Sequence, residues 1–131
     1  IPVLDSGTAT AMMYQIPYQT SPRPKGFLKE GSKLQFGQSE MDIVFTPGHS
    51  PGSISFIARR EKFVLSGDVL FRHSVGRVDL PGGDKDVLMK SIEEELLTLP
   101  DDFLVYSGHG PETTIGHEKQ YNPFINGTYS L

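Results

Sequence analysis

The chain has 131 residues, with 12 lysines and arginines against 16 aspartates and glutamates, a formal net charge of −4 and no cysteine. This length predicts a single domain over residues 1–131 that can bury a real core, and the acidic balance excludes the broad basic surface that nucleic-acid binding needs. The lack of cysteine excludes thiolate zinc sites, disulfides and cysteine nucleophiles and favours a cytoplasmic protein, and no apolar run approaches the roughly 18 residues of a membrane-spanning helix.

The first half of the chain predicts a helix, a loop and two hairpins. Residues 5–14 have the alanine- and methionine-rich composition of a helix, and the three prolines within residues 17–24 predict an irregular surface loop. Strands are predicted, in two pairs, over residues 33–36, 41–45, 54–58 and 62–65. Two successive hairpins indicate a largely antiparallel sheet.

The second half predicts two helices and one more strand. After a long loop over residues 76–83, Asp84 is predicted to cap a helix that ends before Pro100, with residues 93–95 facing water. The apolar residues of this helix recur on one stripe, namely Leu88, Ile92, Leu96 and Leu99. A strand is predicted over residues 103–106 and a short polar helix over residues 115–121. This order of elements predicts an α+β fold.

The segment GHSPG at residues 48–52 contains two candidate catalytic groups. Its Gly-x-Ser-x-Gly pattern matches the nucleophile elbow of serine hydrolases, which requires a strand, a sharp turn and then a helix. The residues after Gly52 alternate at a β period instead, so a helix is not expected there. We therefore assign Ser50 to hydrogen bonding within the turn and take His49 as the residue that does chemistry.

His49, Asp68 and His109 share one setting, because each follows an apolar strand and has glycine or proline nearby. Side chains at strand ends can meet at one rim of a sheet. Imidazole and carboxylate are the ligands that a borderline cation such as zinc takes from a protein without thiolates. The spacing alone matches no local metal motif, so structural roles stay open: His49 bonded within its turn, Asp68 capping the next element and His109 tethering a loop.

Four segments follow one another in order: TPGHSPGS at residues 46–53, SGDVLF at 66–71, GRVDLPGGD at 76–84 and SGHGPETTIGHEKQYNPF at 107–124. Together they resemble the metallo-β-lactamase-fold hydrolases, and within these the glyoxalase II-like (hydroxyacylglutathione hydrolase-like) branch. The resemblance implies the carboxyl-terminal portion of an αββα sandwich, with a mixed, mostly antiparallel sheet and helices on one face. It also implies that His49 binds one metal ion, that Asp68 bridges two ions and that His109 binds the second.

The family's His-x-His-x-Asp-His motif, which supplies the other ligands, does not occur in these residues. The resemblance implies that an intact member uses two ions, zinc with iron or manganese as alternatives, to activate water for attack on an acyl carbon or phosphorus. We expect thioester or ester hydrolysis of a small-molecule substrate, with the remaining ligands supplied by an upstream segment. Three ligands are too few for two ions, so this chain alone is expected to be metal-poor and inactive.

Other functions stay open at this point. The chain could be a non-catalytic fragment or binding module that keeps the scaffold. The same fold could also hydrolyse a lactam or a phosphodiester, or oxidise sulfur with one iron, because fold does not choose among these reactions.

A partial sandwich is expected to expose apolar strand residues, namely Ile43, Phe45, Ile54 and Phe56. We expect a second copy of the chain in a homodimer, or the missing amino-terminal segment, to cover that face.

Four more polar residues receive mainly structural interpretations. Arg77 and Asp79 are assigned to ordering the loop over residues 76–83, although Arg77 could also pair with an anionic substrate. His73 and His117 have no partner motif and are interpreted as solvated groups or as supports behind the site.

Overall fold

The computed structural model describes residues 28–128, so the helix predicted over residues 5–14 and the loop over residues 17–24 lie outside the described residues. The strands of this part are β1 (Lys33–Phe36), β2 (Ser39–Phe45), β3 (Ile54–Ala58), β4 (Phe63–Gly67), β5 (Leu70–Phe71), β6 (Ser74–Val75), β7 (Leu104–Ser107) and β8 (Thr113–Thr114). Its helices are α1 (Lys85–Ser91), a π-helical turn over Ile92–Leu96, and α2 (Ile115–Tyr121).

The main sheet has six strands in the order β1-β2-β3-β4-β7-β8, and β5 and β6 form a separate small hairpin. Its neighbouring strands are antiparallel except β4 and β7, which are parallel. Because β3 is antiparallel to both of its neighbours, the strands β2, β4 and β7 run in the same direction and end at the same edge of the sheet. The predicted mixed, mostly antiparallel sheet is confirmed.

Helix α1 begins where the sequence predicts and changes geometry after two turns. The Asp84 side chain accepts hydrogen bonds from two backbone N–H groups of the first turn and so caps the helix. The π-helical turn that follows keeps the apolar stripe pointing inward, since Leu88, Ile92 and Leu96 are all fully buried. Within the segment predicted to face water, Glu95 is half-buried.

The core lies between the helices and one face of the sheet. It consists of Ile57, Val64, Val69, Leu70, Val75, Leu88, Ile92, Leu96, Leu99, Phe103, Val105 and Ile115. Ile57, Val64 and Val105 are paired across β3, β4 and β7, so their side chains share one face of the sheet. Because α1, the π-helical turn and α2 all contribute to this cluster, the helices pack on that face, as predicted.

The opposite face of the sheet includes Ile43 and Phe56, which are paired across β2 and β3. Phe36 and Phe45 are exposed, while Ile54 and Phe56 are half-buried. Ile43 is only 1% exposed, so its expected exposure is wrong: this face of β2 is covered at Ile43 and open at Phe45. That a second copy or a further segment covers this face stays a prediction.

Several boundaries differ from the predicted ones by one or two residues. The turn between β1 and β2 is tighter than predicted, since Phe36 already pairs with Ser39, and Gly37 has the positive φ, 62°, that such a turn favours. The hairpin of β5 and β6 and the short β8 were not predicted, because two-residue strands show no alternation in sequence. None of the helices in residues 28–128 has the length and apolarity of a membrane span.

Candidate metal centre

The three strands that end at one edge of the sheet bring His49, Asp68 and His109 together. Asp68 follows β4 directly, His109 comes soon after β7, and His49 lies in the loop after β2. Because β3 separates β2 from β4, these two strands lie about 10 Å apart, and the loop after β2 crosses that distance. The meeting of strand ends that the sequence predicts is what the structure shows.

The carboxylate of Asp68 lies between the two imidazoles. His49 Nε2 is 3.7 Å from Asp68 Oδ2, and His109 Nε2 is 3.9 Å from Asp68 Oδ1. These distances are longer than direct hydrogen bonds, and each ring faces a different oxygen. The His49 side chain is 22% exposed and that of His109 is 77% exposed, so the group opens to solvent on the His109 side.

The other ring nitrogen of His49 fixes the direction of its imidazole. His49 Nδ1 lies 2.8 Å from the backbone carbonyl oxygen of Arg77. Since a carbonyl oxygen only accepts, Nδ1 donates, and Nε2 is the ring nitrogen turned towards Asp68. Metal-binding histidines are commonly oriented in this way. The partner lies in the loop over residues 76–83, so the alternative role for His49, bonding within its own turn, is not the one observed.

Two glycines allow the backbone to close around Asp68. A Cβ on Gly108 would lie 2.4 Å from Asp68 Oδ1, and a Cβ on Gly76 would lie 2.1 Å from the Asp68 carbonyl oxygen and 3.2 Å from His49 Cβ. Both positions therefore need glycine for space, because any larger residue would push the Asp68 backbone or carboxylate away.

The turn that holds His49 packs directly on α1. Gly48 has a φ of 132°, and a Cβ there would lie 2.2 Å from the Cα of Leu88. The Gly48 carbonyl accepts a 2.8 Å hydrogen bond from the backbone N–H of Asp84. Ser91 Oγ donates a hydrogen bond of 2.8 Å to the carbonyl of Pro47. These contacts fix the turn, and with it His49, relative to the helix.

His109 is supported by an aromatic side chain that sequence reasoning missed. Its ring stacks on Phe71, with the ring centroids 4.5 Å apart and the planes inclined by 25°. Ser107 Oγ also donates to the His109 carbonyl at 2.7 Å. Phe71 belongs to the β5–β6 hairpin, so the absence of this hairpin from the predicted elements explains why the contact was not foreseen.

A cavity of about 400 Å³ opens beside the three groups, and its wall includes Phe71, Arg72 and Arg77. Arg77 donates to both oxygens of Asp79, from Nε at 2.7 Å and from Nη2 at 2.8 Å. These hydrogen bonds from Arg77, helped by the backbone N–H of Asp79, lower the pKa of Asp79 to about 2. Because both side chains are mostly exposed, the pair orders the loop and adds little stability.

Ser50 has the surroundings of a turn residue. Its Oγ accepts a hydrogen bond from the backbone N–H of Gly52 at 3.3 Å. Strand β3 follows the turn, so the helix that a nucleophile elbow requires is not present at this place in the described chain.

His73 and His117 are paired with each other rather than with the three groups at the sheet edge. Their Nε2 atoms lie 2.6 Å apart. The neighbouring Glu118 is fully buried and was not singled out from the sequence, because no local pattern marks a glutamate on a short polar helix as buried.

The three groups at the sheet edge fit a pair of divalent ions by their chemistry. Two imidazole nitrogens and the two oxygens of one carboxylate suit zinc or iron, and a carboxylate with an imidazole at each oxygen can bridge two ions. Each ion would receive two of these protein groups, fewer than the usual three or four.

Comparison with known proteins places the chain in a family. Residues 3–109 match the family model of the metallo-beta-lactamase superfamily. The chain belongs to this superfamily. One relative, the probable metallo-hydrolase YqgX of Bacillus subtilis (strain 168), is 48% identical over 110 residues, which cover 83% of this chain and 52% of that protein.

A second relative is the hydroxyacylglutathione hydrolase GloC of Haemophilus influenzae. It is 46% identical over 100 residues, which cover 76% of this chain and 47% of that protein. The chain thus spans about half the length of the curated relatives it matches.

A solved structure shows the same fold. The crystal structure of TTHA1623 in a di-iron-bound form superposes with a TM-score of 0.80 and 41% sequence identity, covering 94% of this chain and 60% of that chain. The resemblance inferred from the four segments and the α+β fold of the metallo-beta-lactamase superfamily are both confirmed.

Proposed function

We propose that the protein is a metal-dependent hydrolase of the glyoxalase II-like type and that His49, Asp68 and His109 are ligands of its metal ions. The placement of the Asp68 carboxylate between two imidazoles, each facing a different oxygen at 3.7 and 3.9 Å, supports this most directly. We assign His49 to one ion, His109 to the second and Asp68 to both. The remaining ligands are assigned to residues outside this stretch, in keeping with its match to half of the relatives' length.

Two zinc ions are the proposed cofactors, with iron as the alternative because a similar protein has a di-iron form. Ions bound here would supply Lewis acidity and would activate water near neutral pH. The chain's own residues hold the ligands ready: the Arg77 carbonyl orients His49, and the close backbone at Gly76 and Gly108 positions Asp68. Ligands fixed in advance need little rearrangement when ions bind.

The proposed substrate is a thioester with an anionic group, such as a hydroxyacylglutathione, the class in the name of the relative GloC. Arg72 lies on the wall of the 400 Å³ cavity and offers a positive charge for a substrate carboxylate. Phe71 and Val75 supply an apolar part of the same wall, which suits the uncharged acyl portion.

A zinc titration of the protein with its full ligand set, followed through the imidazole NMR signals, tests the ligand assignment. We expect the signals of His49 and His109 to shift together, and Asp68→Asn to weaken binding about tenfold or more, because a ligand shared by both ions is lost. Ser50→Ala is the matched control, since the Ser50 hydroxyl bonds within the same turn and zinc binding should not change. Zinc binding that is indifferent to Asp68→Asn would refute the assignment.

Turnover assays then test the reaction itself. We expect the zinc-loaded protein with its full ligand set to hydrolyse a hydroxyacylglutathione thioester faster than a β-lactam or a phosphodiester. A preference for either of the other two would assign the site to another hydrolase of the same fold. Metal binding without turnover of any of them would favour the non-catalytic role.

A further inference from the structure

A second group of side chains with metal-ligating chemistry lies apart from His49, Asp68 and His109 and has no part in the proposed hydrolase. His73, His117 and Glu118 each offer a ligand atom, and these atoms lie within 4.8 Å of one another. His73 belongs to the turn between β5 and β6, and the other two belong to α2. The group therefore joins the small hairpin to the last helix.

The two imidazoles face each other through their Nε2 edges. The Nε2 atoms are 2.6 Å apart, the ring centroids are 4.8 Å apart and the ring planes differ by 18°. The ring planes are thus nearly parallel, and the two Nε2 atoms lie within hydrogen-bond distance of each other. Two neutral imidazoles in this position can share one proton, or they can turn slightly so that both lone pairs reach one ion.

The Glu118 carboxylate fixes the backbone of His73 relative to α2. It is fully buried, and its Oε1 accepts hydrogen bonds from the backbone N–H of His73 at 2.7 Å and from Asn122 Nδ2 at 2.9 Å. Its Oε2 accepts from Thr113 Oγ1. Since one carboxylate has about four acceptor positions, three hydrogen bonds leave it able to accept a further partner.

The backbone of His73 is unusual in a way that keeps the imidazole over α2. His73 has a φ of 62°, a left-handed conformation that glycine or asparagine adopts more easily than histidine. The hydrogen bond from its N–H to Glu118 stabilises this conformation. Tyr121 closes the other side of His117, with its ring centroid 4.8 Å away.

We propose that His73 and His117, with Glu118 as the third protein group, form a binding site for one divalent transition-metal ion of the zinc class. Two imidazole nitrogens and one carboxylate oxygen are a ligand set that zinc takes, with solvent in the fourth position. Nitrogen ligands of a tetrahedral zinc ion lie about 3.3 Å apart, so the two rings would open from 2.6 Å. His73 is exposed, so its ring can make this small movement.

An ion at this site would tie the β5–β6 hairpin to α2. The same hairpin holds Phe71 against the His109 ring. Zinc at this second site would bind the folded chain and not the unfolded one, so it should raise the free energy of unfolding.

The test uses a chain that lacks the imidazoles at the sheet edge. In the His49→Ala, His109→Ala background, we expect one zinc ion per chain to remain and to shift the His73 and His117 imidazole signals. Adding His73→Asn or His117→Gln should weaken that binding about tenfold or more. Asparagine suits the positive φ at position 73, and circular dichroism checks that each variant is folded.

The background separates this proposal from the proposed hydrolase, because the sheet-edge site is already disabled. Cobalt(II) absorption gives a second readout, with the tetrahedral band expected in the background chain and lost in both added variants. No zinc binding in the background, or zinc binding unchanged by both His73→Asn and His117→Gln, would overturn the proposal and leave the pair as two rings sharing a proton.

Discussion

Replacing Gly108 with alanine tests whether the position of the Asp68 carboxylate governs metal binding. The new Cβ would lie 2.4 Å from Asp68 Oδ1, with the Gly67 carbonyl carbon 3.5 Å away. Because carbon and oxygen in contact stay about 3.3 Å apart or more, the carboxylate or the loop must move by roughly 1 Å.

A movement of this size affects the metal more than the fold. Ligands must be held within about 0.5 Å of their working positions, so we expect zinc affinity to fall about tenfold or more. The free energy of unfolding should fall by about 1 kcal/mol, the lower end for an added methyl group, because Gly108 is exposed and its loop can yield.

The assay combines unfolding in urea with a zinc titration by imidazole NMR, carried out on the protein with its full ligand set. Gly37→Ala is the matched control, because Gly37 has a φ of 62° and a Cβ added there would meet nothing within 4 Å. It should cost about 1 kcal/mol of stability through backbone strain and leave zinc affinity unchanged. Undiminished zinc affinity in Gly108→Ala would refute the reasoning that this backbone holds Asp68 as a ligand.

Three further predictions concern stability. Asp84→Ala removes the acceptor for two N–H groups of α1 and should lower the free energy of unfolding in urea by about 1 kcal/mol, whereas Asp84→Asn should keep most of it. Leu96→Ala truncates a fully buried side chain and should cost about 2–5 kcal/mol; a urea midpoint equal to that of the parent chain would contradict its place in the core. Since Arg77 lowers the pKa of Asp79 from 3.8 to about 2, the small stabilisation from this pair is present at neutral pH and is lost as the pH falls between these values. In an NMR titration of the Asp79 carboxyl, a midpoint near pH 4 would contradict the ion pair.

Local signals in the sequence were enough for most elements of the sheet and helices. The observed β1, β3 and α2 match the predicted residues 33–36, 54–58 and 115–121, because alternation, turn residues and caps act over a few neighbours. The cap at Asp84 was predicted for the same reason. The β5–β6 hairpin was not, since its strands are two residues long and depend on packing against the core.

The candidate site was predictable in part. That His49, Asp68 and His109 follow strands is a local property, and strands that run in one direction must end at one edge. The parallel pairing of β4 with β7 is not local, because it depends on the crossover through α1. The role of Glu118 was beyond sequence reasoning for the same reason: its donors on His73, Thr113 and Asn122 come from three separate segments.

The common direction of β2, β4 and β7 also divides the molecule into two ends with different tolerance for engineering. The turn between β3 and β4, around Arg60 and Glu61, lies at the end away from the three convergent side chains, and Arg60 is 81% exposed. A fluorescent tag or an inserted linker at that turn would leave the spacing of the imidazoles intact. The same insertion after Asp68 would separate the groups that the architecture brings together.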